Sequence, residues 1–154
     1  MIRKHALHAL LAAACLALAA CATSTPYQRD DAGYGYSDRA LSEARYEVSF
    51  RGNAATSEED TQTFVLYRAA EIARDKGAPA FRVLGETVET VDVERPFSCY
   101  SPYYMTHMAG SATVTEEETK AVASIELLSA VPDDLPGGVF LTENILSDLA
   151  SCVG

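Results

Sequence analysis

Soft donor atoms gather in one stretch of this sequence. Residues 96–110 read Pro-Phe-Ser-Cys-Tyr-Ser-Pro-Tyr-Tyr-Met-Thr-His-Met-Ala-Gly. Met105, His107 and Met108 stand near Cys99 there, and thioether, imidazole and thiolate together suit copper(I). The same side chains have a purely structural use, because methionine sulfur packs well against Tyr100, Tyr103 and Tyr104. A third use is an exposed interaction patch of Tyr100, Tyr103, Tyr104 and Met105, residue types enriched at protein interfaces. Its alternative is a loop folded over a sheet as cover.

Catalytic constellations are missing. His5 and His8 fall in an apolar leader, so His107 is the one histidine left to the rest of the chain. No Gly-x-Ser-x-Gly elbow accompanies it. Metalloprotease and P-loop fingerprints are absent, and Gly33-x-Gly35 lacks the third glycine of a dinucleotide loop. Glu116-Glu117-Glu118 reads as a solvated turn rather than half of a carboxylate pair. The expectation is a non-enzyme with no catalytic residues and no cofactor.

The leader itself is informative. Arg3 and Lys4 precede about 15 residues of almost pure alanine and leucine, too short to span a bilayer, which takes about 20. The order of basic, apolar and small residues is that of an export signal. Its end, Leu18-Ala19-Ala20-Cys21, resembles a bacterial lipobox; a plain secretory signal that happens to precede a cysteine is the alternative. The lipobox resemblance implies cleavage between Ala20 and Cys21, a diacylglyceryl thioether on Cys21 and acylation of its new amino group. One acyl chain binds membranes marginally and several bind stably. By analogy with Gram-negative sorting, Ala22 in place of Asp after Cys21 favours the outer membrane.

Cys15 leaves with the leader, so Cys99 and Cys152 remain as an even pair in an oxidising compartment. A disulfide between them would close a loop of about 50 residues and contribute roughly 2–4 kcal/mol. Two unrelated buried thiols, or a redox pair, are the alternative. No Cys-x-x-Cys is present, which argues against catalytic thiol exchange.

The 154 residues are 48% hydrophobic and 22% charged, with a formal charge of −10, the balance of one folded domain. Removing residues 1–20 takes away two bases and no acid, leaving −12. Nucleic acid and anionic membrane surfaces are therefore poor partners. Residues 21–44 read as the acylated cysteine and a tether, in which Tyr27, Tyr34 and Tyr36 argue that part of it docks on its own domain.

From Arg45 onward the spacing becomes regular. Tyr46, Val48 and Phe50 alternate with polar residues, the period of a half-buried strand, and Gly52-Asn53 ends it. Thr56 stands at capping-box distance from Glu59. Val65, Leu66, Ala69, Ile72 and Ala73 then recur at helical spacing, predicting a helix over 57–76 that Gly77 stops. Phe81, Val83, Val88, Val91 and Val93 form a long strand whose phase shifts across Gly85, the mark of a bulge. Strand signals return over about 111–115 and 119–130, with Ala121, Ala123, Ile125 and Leu127 on one face. Thr142 is placed to cap a last helix whose buried stripe is Ile145, Leu149 and Cys152. The order predicts an α+β fold for residues 45–154: an antiparallel-dominated sheet of about four strands with two helices packed on one face.

Three motifs carry a family resemblance. Gly33-Tyr34-Gly35-Tyr36-Ser37, then Tyr46-x-Val48-x-Phe50-x-Gly52-Asn53, then Arg68-Ala69-Ala70-Glu71 before Gly77 are similar to small uncharacterised lipoproteins of Gram-negative bacteria, over about residues 18–95. That resemblance implies no activity. The combined expectation is a non-enzymatic lipoprotein on the periplasmic face of the outer membrane. It would be held by its lipid anchor and bind an envelope protein through the 96–110 loop. A periplasmic soft-metal or small-ligand binder using Met105, His107 and Met108 is the alternative.

Overall fold

The computed structural model describes residues 23–96 and 113–153. Strands β1 (Gly35–Ala40) and β2 (Arg45–Arg51) lead into helix α1 (Glu58–Asp75). Strands β3 (Ala80–Pro96), β4 (Thr113–Leu128) and β5 (Val139–Leu141) follow, then helix α2 (Thr142–Leu149) and one 3-10 turn, Ala150–Cys152. The strands form a single sheet in the order β1-β2-β4-β3-β5, every neighbouring pair antiparallel. The α+β class and the antiparallel sheet are as the sequence predicts. The fifth strand, β5, is only three residues long, too short to leave a period.

Alternation in β2 and β4 decides which face is covered. Tyr46, Val48 and Phe50 on β2 and Ala121, Ala123 and Ile125 on β4 are all buried, and register pairs them across the ladder (Tyr46↔Ile125, Val48↔Ala123, Phe50↔Ala121). Helix α1 lays Phe64, Val65, Ala69, Ala70, Ile72 and Ala73 over this surface, and Phe50 meets Phe64 with ring centroids 4.7 Å apart. The alanines let the helix backbone approach, while the phenylalanines supply buried area. The opposite face carries Arg45, Glu47 and Ser49, with Arg45 paired to Glu126 at 3.1 Å, the solvated side usual for an antiparallel sheet.

Helix α1 ends as its sequence requires. Gly77 has φ +71°, its N–H donates to Arg74, and the Ala78 N–H reaches back to Ala73 at 2.8 Å; this 6→1, 5→2 pair is a Schellman stop. The strand shift also falls where expected, with Leu84 bulged out between Val83 and Gly85.

Several local expectations are corrected. Residues 35–40, assigned to the tether, are strand β1, because glycine and serine hide strand character when the apolar contacts lie in another element. Ser57, not Thr56, caps α1, accepting the Asp60 N–H at 3.0 Å. Thr142 does not cap α2: Leu141 holds the cap position with no side-chain bond, and the Thr142 hydroxyl donates to the Ala78 carbonyl at 2.8 Å. The two expected strands over 111–130 are one continuous β4. Glu116-Glu117-Glu118 lies inside it rather than in a turn. Cys152 is exposed, so the buried side chain of α2 at that end is Leu146 instead.

Beyond Lys120, the last partner of β2, strands β3 and β4 continue together as a two-stranded ribbon from Thr90↔Thr119 to Pro96↔Thr113. This ribbon and the chain's amino-terminal segment meet at one place, the end of β2.

Candidate functional site

The Phe50-x-Gly52-Asn53 turn catches the amino-terminal segment. The Asn53 side-chain amide donates to the Thr23 carbonyl at 2.8 Å, and the Asn53 backbone N–H to the Thr25 hydroxyl at 2.9 Å. The Thr25 N–H donates to the Thr56 hydroxyl at 2.9 Å, and that hydroxyl donates to the Asn53 side-chain oxygen at 3.0 Å. Thr56 is thus spent on this clasp, which is why Ser57 serves as cap. Gly52 is required because a Cβ there would lie 2.4 Å from the Thr56 Cβ. Thr25 and Thr56 are both buried.

From the clasp the chain crosses α1 on tyrosine. Tyr27 stacks on Tyr36 at 4.9 Å, meets Tyr67 edge-on at 5.2 Å and touches Phe64 at 5.7 Å. Its hydroxyl donates to the Glu71 carboxylate at 2.5 Å. Burial, then the bond and charge of Glu71, push the phenol pKa above its ordinary value. Arg68 completes the cluster. It forks onto Asp38 (2.9 and 3.0 Å), donates to Glu71 at 2.9 Å and lies over the Tyr36 ring at 4.6 Å. Burial alone would lower its pKa, but Glu71 and Asp38 outweigh that and raise it.

The Gly33-to-Tyr36 motif then turns the chain into β1. Ala32 and Gly33 have φ of +54° and +95°, and Asp31 and Tyr34 exchange backbone bonds across them, a type I′ turn. Gly35, at φ +117°, packs where a Cβ would meet the Gln28 carbonyl oxygen at 2.6 Å. Tyr34 reaches the opposite sheet face, donating to Glu118 at 2.5 Å. Arg51 donates to the same carboxylate through two nitrogens at 2.8 and 3.0 Å. Glu118 is fully buried, a role invisible in a run of three glutamates until strand alternation sets its direction.

A second feature is concave. Where α1 leaves the sheet near the Gly85 bulge, an open groove of about 410 Å³ lies between Leu66 on α1, Val83 and Ile125 on the sheet, and Phe140 and Leu149 beyond. Glu59 and Glu86 stand at its rim. Its volume is that of a small ligand site. No sequence signal marked it, because its walls come from five elements that meet only on folding.

Among the sequence-predicted site residues, only Cys152 is described, exposed on the last turn. Ala20, Cys21, Cys99, Tyr100, Tyr103, Tyr104, Met105, His107 and Met108 lie outside the described residues, as does the pairing of Cys99 with Cys152. Among the described residues, no group of three or more His, Cys, Asp or Glu could hold a metal ion, and no helix is long and apolar enough to cross a membrane. No family model, no curated protein and no solved structure matches this chain.

Proposed function

We propose that this chain is a non-enzymatic cell-envelope lipoprotein, acylated at Cys21 and acting as a membrane-tethered binding module on the periplasmic face of the outer membrane. The observation that carries the reading is the position of the clasp. The domain grips its own chain at Thr23 and Thr25, two and four residues after the lipobox cysteine. A secreted domain has no need to fix the residues beside its cleavage site; an anchored one gains a defined seat at the membrane.

Binding is assigned to the groove beside Leu66, together with the 96–110 loop. An apolar floor with Glu59 and Glu86 at the rim suits a partner segment that offers an apolar side chain flanked by a basic one. The Cys99–Cys152 disulfide belongs to the same proposal, as a staple suited to the oxidising periplasm.

The test is a photo-crosslinking residue at Leu66 in the acylated protein in living cells, with Thr90 as a control site. A discrete envelope-protein adduct at Leu66, absent at Thr90 and lost when Leu149→Arg is added, supports the binding module. Equal labelling at both sites, or none at Leu66 and none through Tyr103 and Tyr104, overturns it.

A further inference from the structure

The groove begins at the end of α1 that the clasp holds. Thr25 is bonded to Thr56 and Thr23 to Asn53, and Ser57 caps the helix one residue later. Glu59, at the groove's rim, stands on the first turn of α1, three residues past Thr56. From Glu59 the helical wall continues through Gln62 and Leu66 to Ala69, about 15 Å at 1.5 Å per residue.

The course of the amino-terminal segment leads the same way. At Tyr27 it packs on Tyr36, Phe64 and Tyr67, along the β1 flank of α1. At Thr25 it has reached Thr56, ahead of the helix, and at Thr23 the Asn53 turn. Followed back toward Cys21, the chain thus leaves the β1 flank for the start of α1. The groove, walled by Val83 and Glu86 of β3, lies along the other flank. Two residues separate Thr23 from Cys21, a reach of about 7 Å, and acyl chains on Cys21 extend beyond that.

Size and lining suit such a chain. At roughly 30 Å³ per methylene, close to one water's share of the liquid, about 410 Å³ takes about 14 methylenes, the greater part of one long fatty acyl chain. Leu66, Val83, Phe140 and Leu149 offer it apolar walls. A glyceride is neutral, so Glu59 and Glu86 do not repel it, whereas they oppose the carboxylate of a free fatty acid.

We propose that this groove seats one acyl chain of the protein's own Cys21 whenever no bilayer holds that chain, closing the partner site until the anchor inserts. This rests on acylation of Cys21 and on the groove as the partner site. Each buried methylene favours the seated form about fourfold over water, so an acyl chain in water enters an apolar groove within its reach. A bilayer buries the whole chain and an open groove only part of it. A membrane therefore withdraws the chain and frees the groove for a partner in that membrane.

The test places a photo-crosslinking residue at Leu66 in the purified acylated protein, with exposed Ser129 as the control site. One sample is diluted into detergent-free buffer and the other reconstituted into phosphatidylcholine vesicles. In buffer, light should join the peptide that holds position 66 to the lipidated Cys21 peptide, at several-fold the yield found from Ser129. That product should fall several-fold in vesicles, and also in buffer when Leu149→Arg is added. Equal yields from the two sites in buffer, or a Leu66 yield that vesicles leave unchanged, overturns the seating; a Leu66 adduct with an envelope protein in cells then still supports the binding module. Crosslinks between isotope-labelled and unlabelled copies at the random proportion give the chain to a second copy and overturn seating in the same molecule. An intact mass without acyl groups overturns the seating and the lipoprotein reading together.

Discussion

Tyr27→Ala should unlock the amino-terminal segment without dissolving the fold. Replacing a fully buried large aromatic by alanine costs about 3–5 kcal/mol, and Tyr27 is half-buried, so its packing contribution falls to about 2 kcal/mol by that proportion. Its hydroxyl bonds a charged carboxylate, a contact worth about 1.5–3 kcal/mol, but Glu71 keeps Arg68 at 2.9 Å and is not stranded. The expected loss in urea unfolding is thus about 3 kcal/mol for Tyr27→Ala and about 1 kcal/mol for Tyr27→Phe, which keeps the three ring contacts. Hydrogen exchange supplies the decisive readout: amides of residues 25–36 should lose protection in Tyr27→Ala while those of β4 keep theirs relative to global stability. A variant within about 0.5 kcal/mol of the parent, with residues 25–36 still protected, would refute the tyrosine cluster as what holds that segment.

Three further outcomes follow from the same geometry. Gly35→Ala should destabilise by about 2–3 kcal/mol, since it forces a left-handed residue against the Gln28 carbonyl, whereas Gly85→Ala, with open space around it, should stay within about 1 kcal/mol; thermal unfolding of the pair checks both. Glu118→Ala should cost about 2–3 kcal/mol in denaturant unfolding, less than the 3–5 of a wholly buried pair because Arg51 is partly exposed and turns to water. Stability should also fall as pH rises past the ordinary phenol value of about 10, because the unfolded chain then releases the Tyr27 proton that the folded chain retains, at up to about 1.4 kcal/mol per pH unit. Tyr27→Phe should flatten that slope in urea titrations from pH 9.5 to 11.5.

What was legible in the sequence followed from period. Tyr46-Val48-Phe50, the 65–73 helix face and Ala121-Ala123-Ile125 each repeat at the spacing of one element, so their faces could be read directly. The Gly85 bulge showed as a phase change. What stayed hidden depends on contacts between distant segments. Thr56 has cap spacing, yet its hydroxyl is taken by Thr25, 31 residues earlier, and the cap passes to Ser57. Glu118 sits in an acidic run that looks solvated, and only Tyr34 and Arg51 reveal it as buried. Strand β1 lacks an apolar alternation because Tyr36 packs on Tyr27 and Arg68 rather than on a sheet neighbour. The tyrosines were read as docking residues, and they are; the groove had no local signature at all.

The most direct test of the central claim is the intact mass of the native protein extracted from membranes. The expected result is a chain that begins at Cys21 and carries a diacylglyceryl group plus an amide-linked acyl chain, all lost in Cys21→Ser. A chain beginning elsewhere, or beginning at Cys21 with no acyl groups, would contradict it.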